Sequence, residues 1–318
     1  MYSNKIVKIT ALICGMFVFM QFANAQDTKG GDVAMGYSAV VRNPVSAAMG
    51  FSGIASSSSM AWSSFSNSAA IPFYNGKFDA QVLYQDWAPT VDAIKSTDIA
   101  AGLAFKASDR LGFSLGFVNQ SGVSYDLTDE NGYSKGSFTP SDIQANIGVG
   151  FSLSEKLSAG ADLKYLSSKV SDDNSYSAFA ADIFAMYRMD DLNLTAGISN
   201  FGSSVKDDNG ESFDLPASVN FGGAYVVKPG YVQSIEATLD AGYYFSGKFT
   251  AACGVQYGLF GTIYLRAGYH YGDDEAVLPS FATAGFGLKL KGVKLDFSYI
   301  LGNENLKNTM NIGLGIAF

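Results

Sequence analysis

The chain has 318 residues, with 21 Lys+Arg against 29 Asp+Glu, and 47% of its side chains are apolar. This acidic balance excludes a nucleic-acid binder, which needs a basic surface. Two cysteines, Cys14 and Cys253, and one histidine, His270, cannot build a Cys/His metal cluster, and the sequence contains no phosphate loop or haem motif, so no cofactor is expected.

Residues 1–25 read as a secretory signal peptide. Lys5 and Lys8 form a short basic region, residues 9–22 are mostly apolar, and Ala23-Asn24-Ala25 is a small-x-small cleavage site before Gln26. The apolar run is too short for a membrane anchor and meets polar residues at once. Cys14 does not make a lipoprotein signal, because Ile13 stands where that signal wants a small residue. Removal of residues 1–25 takes two lysines and no acid, leaving 19 basic side chains against 29 acidic and a net charge of −10. Only Cys253 then remains, so no internal disulfide forms. Closure of a β-barrel is an alternative source of stability.

Residues 26–77 differ from everything after them. They are rich in Ser, Ala and Gly, with Met35, Met49, Met60, Trp62 and Phe65 spread among them, and they lack strand alternation. Short helical turns and loops are expected, ending at Ile71-Pro72. The large apolar side chains imply packing, and a hatch that plugs a barrel is the expected role. Trp62, Phe65 and Asn67 are its candidate anchors.

From residue 78 to 318 the sequence holds fourteen alternating runs, most of about the 9–11 residues that a tilted strand needs to cross a bilayer. Ile143, Ala145, Ile147, Val149 and Phe151 make one apolar face; Ile263, Leu265, Ala267 and Tyr269 make another. In the last run Met310, Ile312, Leu314, Ile316 and Phe318 share one side, and Asn311, Gly313, Gly315 and Ala317 the other. The connections sort by parity. Ser108-Asp109-Arg110, Ser154-Glu155, Met189-Asp190, Leu259-Phe260 and Lys291-Gly292 are short, whereas 122–140, 201–215 and 272–280 are long and polar; Ser246-Gly247 is a short exception on the long side. Short turns at one end and long loops at the other are the pattern of an outer-membrane barrel entered from the periplasm. No apolar run after the signal is long enough for a spanning helix. The expected fold is all-β: a transmembrane antiparallel barrel of about fourteen strands, residues 78–318, with an N-terminal hatch.

Ala48-Met49-Gly50 followed by Asn67-Ser68-Ala69-Ala70 resembles the opening of FadL-like barrels, with Ser68 where those proteins usually carry proline. Gly197-Ile-Ser-Asn-Phe-Gly202, Leu215-Pro216, Gly222-Gly-Ala-Tyr225, Leu265-Arg-Ala-Gly-Tyr269, Gly285-Phe-Gly-Leu288 and Leu295-Asp-Phe-Ser-Tyr299 resemble the PorV/PorQ family of Bacteroidetes outer-membrane proteins. The resemblance implies a fourteen-stranded barrel with a hatch, and an adaptor or scaffold role in export of proteins to the surface by a type IX-like route. Its implied partners are outer-membrane lipid, the barrel-assembly machinery, and exported cargo or a surface-attachment complex. FadL-like members instead move hydrophobic compounds. Phe318, an aromatic last residue, resembles the C-terminal assembly signal of such barrels.

Strand parity places Asp162, Lys164, Asp182, Arg188, Glu236, Asp240, Arg266, Lys289 and Asp296 in the lumen. Buried charges must be paired, so a network of ion pairs is expected there rather than an open polar path. Phe184 and Met186 also face inward and are expected to pack against hatch residues such as Trp62, with an apolar ligand pocket as the other reading. The acidic stretches Asp129-Glu130, Asp172-Asp173, Asp207-Asp208 and Asp273-Asp274-Glu275 lack EF-hand spacing and read as solvated loop tips. His270, between Tyr269 and Tyr271, belongs to an aromatic girdle and has no Ser or Asp placed beside it. No catalytic site is expected.

Overall fold

The computed structural model describes residues 33–92, 94–207, 210–273 and 277–318. The proposed signal peptide and residues 26–32 lie outside the described residues, as do Asp208, Asn209, Asp274 and Glu275 of the acidic loops.

Alternation sets the architecture. The strands are β1 (Phe78–Trp87), β2 (Ser96–Lys106), β3 (Leu111–Ser121), β4 (Tyr125–Thr128), β5 (Ser134–Phe138) and β6 (Ser141–Ser152). Then come β7 (Leu157–Lys169), β8 (Ser175–Met189), β9 (Leu192–Gly202), β10 (Val205–Lys206), β11 (Ser212–Phe213) and β12 (Ser218–Val227). The last are β13 (Gln233–Tyr244), β14 (Phe249–Leu259), β15 (Ile263–Gly272), β16 (Phe281–Leu290), β17 (Val293–Leu301) and β18 (Met310–Ala317). Fourteen of them close into one antiparallel barrel, in which each strand pairs with its neighbour in the chain and β18 returns to β1. The seam is in register from Asp79 opposite Ala317 to Asp86 opposite Met310. Closure pairs the backbone groups of every strand, the only way that strands can face hydrocarbon.

The two faces of the wall are chemically distinct. Outward positions are apolar and open, as at Val82 (55% exposed), Ile99 (61%) and Leu314 (53%). Inward positions on the same strands are polar and buried: Asp79, Gln85 and Asp98 are each 0% exposed. The period-2 pattern therefore separates a lipid-compatible face from a polar interior within single strands.

The remaining four strands are two excursions from the loop end. β4 pairs with β5, and β10 with β11, as antiparallel hairpins outside the barrel. The sequence reading had only loops at 122–140 and 201–215. Their acidic tips are turn locks. Asp129 Oδ1 accepts the N–H groups of Asn131 and Tyr133, both at 2.9 Å, and Asp207 Oδ1 accepts the Glu211 N–H at 2.7 Å.

Residues 33–77 run through the barrel. The described chain starts at the loop end, where Val33 bridges to Asp214 and Ala34 N–H donates to the Asp214 carbonyl at 2.9 Å. A short 3-10 turn (Gly36–Ala39), the one-turn helices α1 (Pro44–Ala47) and α2 (Ser63–Ser66) and a second 3-10 segment (Ser68–Phe73) follow. At the turn end the chain meets β1, with Lys77 and Phe78 N–H both donating to the Phe318 carbonyl at 2.8 Å. β1 thus starts at the turn end, while the segment before it starts from the opposite mouth.

Candidate functional site

The lumen is occupied by the N-terminal segment, and backbone fit makes this possible. The Met49-Gly50 peptide lies flat on β15: a Cβ at Gly268 would sit 2.0 Å from the Met49 carbonyl carbon. Gly50 has φ +71°, a left-handed conformation that favours glycine, and its N–H donates to Thr283 Oγ1 at 2.8 Å. The Ala48-Met49-Gly50 motif is therefore a docking point, smooth on both surfaces. Asn67 is a second one. Its Oδ1 accepts the Ala69 N–H at 3.0 Å and starts the 3-10 segment, while its Nδ2 donates to the Ile54 carbonyl at 2.8 Å and to Thr195 Oγ1 at 3.1 Å.

Charge holds the rest. Near the turn end, Lys294 Nζ lies 2.6 Å from Asp79 Oδ1, and Asp79 Oδ2 accepts from Ser59 and the Met60 N–H. Arg266 Nη1 is 2.7 Å from Asp296 Oδ1, its Nε donates to Gln256 at 2.7 Å, and Gln256 leads on to Glu236, which also accepts from Ser56 Oγ at 2.5 Å. Arg188 donates to Ser57 Oγ and the Phe73 carbonyl and lies over the Phe73 ring. Midway, Ser68 Oγ donates to Asp162. Toward the loop end, Lys164 Nζ is 2.6 Å from Asp182 and 2.9 Å from Asn200 Oδ1. The Arg42 guanidinium bonds Asp98 and Gln85 in the same half. Asp240 Oδ2 accepts the N–H groups of Gly53 and Ile54 at 2.6 and 3.0 Å. Of the inward-facing charges read from parity, Lys164 with Asp182 and Arg266 with Asp296 form ion pairs, Asp162, Arg188, Glu236 and Asp240 are held by hydrogen bonds to the N-terminal segment, and Lys289 lies half-buried on β16.

Two expectations need correction. Trp62 does not meet Phe184 or Met186. It packs with Leu83, Ala100 and Val118 on β1–β3, beside Phe65, and its Nε1 donates to Gln81 at 2.6 Å. Phe184 and Met186 pack instead on Ala69, Ala70 and Phe73. Parity gives the face a residue takes; it does not give the stretch of wall opposite. His270 is the second correction. It faces the lumen, 7% exposed, stacked on Phe281 at 4.9 Å between ring centroids, while Tyr269 and Tyr271 take the outer face. Phe318 is 74% exposed and stacks on Phe78 at 5.0 Å.

A space is left open toward the loop end. Between residues 38–54 and the wall of β9, β12–β15 lies a cavity of about 150 Å³, in the loop half of the lumen. The sequence reading did not single it out, although Asp240 on its wall was among the inward charges.

No protein-family model matches the chain, and neither does any curated protein. Solved structures do. The chain is similar to the Pseudomonas putida toluene transporter TodX, with a TM-score of 0.55 and 16% identity over 86% of this chain and 96% of that one. It is similar to a Pseudomonas aeruginosa FadL homologue, with a TM-score of 0.54 and 11% identity over 91% and 99%. The monoaromatic hydrocarbon channel CymD gives 0.61 and 12% over 86% and 97%. At these identities the likeness is one of fold, and the fold is that of FadL-like outer-membrane barrels. TodX is a transporter and CymD a channel by name.

Proposed function

We propose that this protein is a FadL-type channel of the bacterial outer membrane that passes small hydrophobic organic compounds, reaching that membrane after loss of residues 1–25. The observation that carries the reading is the lumenal segment: among the described residues it runs through the barrel and leaves a cavity near the loop mouth. A wall without a segment inside would be a water-filled pore. A wall with one is a gate, and the structural neighbours that share the architecture are named as hydrocarbon and toluene channels. Residues 26–77 act as the hatch, with Trp62, Phe65 and Asn67 as anchors, and the paired lumenal charges hold it closed. No reaction is assigned, and Phe318 serves as the assembly signal.

The test is uptake by intact cells, whose outer membrane is the barrier. Loss of the protein should slow entry of single-ring aromatic compounds severalfold, and re-expression should restore it. A disulfide between the hatch and β13, formed by Ser52→Cys with Thr238→Cys, whose hydroxyl oxygens lie 2.6 Å apart, should block the restored uptake until reduced. Uptake indifferent to the protein would overturn the reading.

The adaptor reading implied by the PorV/PorQ motifs has its own support in the two hairpins, β4–β5 and β10–β11, that leave the barrel at the loop end. Shortening both should then abolish capture of an exported partner and leave uptake unchanged.

A further inference from the structure

The cavity at the loop mouth has two unlike walls. On the β9–β13 side its lining is polar, with Asn200, Ser218, Asn220 and Asp240. On the β14–β15 side it is apolar, with Ala252, Phe51, Leu278 and the face of His270. Phe51, Leu278 and Phe281 belong to one buried cluster that backs this second wall.

The polar groups around it fall into two sets. Most are already used. Lys164 is held by Asp182 and Asn200, and Asn220 Nδ2 donates to Ser199 and Ser218. Five buried atoms are not: Asp240 Oδ1, Ser38 Oγ, Arg42 Nε and both ring nitrogens of His270 have no hydrogen-bond partner among the described residues, and these residues are 7%, 8%, 2% and 7% exposed. All four residues line the cavity. A buried polar atom without a partner costs about 1–3 kcal/mol, so the site favours an occupant that supplies the missing bonds. The volume is about that of an engineered protein cavity that holds one benzene ring, roughly 150 Å³.

We propose that this cavity binds a single aromatic ring carrying hydroxyl groups: a phenol or catechol rather than a bare hydrocarbon. The ring lies against Ala252, Phe51 and Leu278. Its hydroxyl donates to Asp240 Oδ1 and accepts from Ser38 or Arg42. A hydrocarbon of the same size fills the space and leaves Asp240 Oδ1, Ser38 Oγ and Arg42 Nε unpaired. A sugar satisfies them and places hydroxyls against the apolar wall. The proposal rests on the channel reading for its biological sense, since it names the class of compound taken up. The binding itself is independent of transport.

Saturation-transfer NMR on the whole protein in detergent tests it, with phenol, catechol, toluene and glucose as probes. Phenol and catechol should give saturable ring-proton signals. Ala252→Phe, which fills the apolar side, should abolish them, and the same variant in the same micelles removes the contribution of detergent partitioning. Asp240→Asn should weaken phenol at least tenfold and leave toluene unchanged. Heat-modifiable migration shows whether each variant is folded, and Ala252→Leu replaces Ala252→Phe should the larger side chain prevent folding. Phenol signals that survive the filled cavity, toluene binding as tightly as phenol, or glucose displacing phenol would each overturn the proposal. Phenol binding without cellular uptake would leave the site standing and remove the channel reading alone.

Discussion

The two halves of the lumen are built from the same strands with the same alternation, yet they differ in kind. The turn half is packed. Met60, Ile71 and Tyr74 fill it together with Ala104, and its charges form two bonded groups, Asp79 with Lys294 and Asp296 with Arg266, Gln256 and Glu236. The loop half holds the cavity, lined by unpartnered polar atoms of Ser38, Arg42, Asp240 and His270. The wall does not explain the contrast. The N-terminal segment does: it runs as compact turns over residues 63–73 and as extended chain over residues 40–43. Compact turns bring several side chains to each level of the barrel, whereas an extended chain brings one or two. Space at the mouth is thus a consequence of local backbone form in a region with no strand signal at all.

The largest effect on this contrast should come from deleting residues 44–70. Both halves then empty, and the paired lumenal charges line water. Planar bilayers should pass from almost no conductance to a steady open current, with the barrel still heat-modifiable. A silent bilayer would mean that the wall, and not the segment, closes the lumen.

Single charge removals should separate the halves. Lys294→Met strands Asp79 in the turn half, and Arg42→Met strands Asp98 in the loop half. Breaking a buried pair by removing one partner costs about 3–5 kcal/mol. Hydrogen exchange should accelerate around residues 56–61 in the first variant and around 36–43 in the second. Faster exchange across the whole segment in either variant would show that the halves are one cooperative unit.

Gly268→Ala should act more mildly, by about 1–3 kcal/mol of overpacking, because the new methyl meets the Met49 carbonyl carbon. A lowered denaturant midpoint for the segment, with the barrel transition unmoved, would confirm that β15 is its seat. Smallest of all is Asp129→Ala at the β4–β5 tip. Surface changes of this kind stay within about 0.5 kcal/mol, and neither half should respond in stability or in uptake.

The sequence held more of the wall than of its contents. Alternation gave fourteen runs from residue 78 onward, the number of strands in the barrel, since an apolar outer face and a polar interior enforce period 2 along each strand. The β4–β5 and β10–β11 hairpins went unread because no bilayer acts on them and their residues are mostly polar and exposed. Asp162, Lys164 and Asp182 could be assigned to the lumen by counting. Their partners could not, because Ser68 and Asn200 are brought to them by a segment path and a strand irregularity that counting does not reveal. Gly160 and Gly268 carried an unused signal. Inward glycines on neighbouring strands mark where another backbone presses on the wall.

The seam between β1 and β18 joins residues at opposite ends of the barrel sequence, from Asp79 with Ala317 to Asp86 with Met310. It is therefore the pairing of longest range in the molecule, and by loop-closure entropy the slowest to form. The segment it must enclose lies immediately before β1 and is made before any strand. Synthesis thus supplies the contents first and the clasp last, so the ring can shut around a cargo already in place. Threading, the hard way to put a chain through a closed hoop, is avoided by the order of the gene.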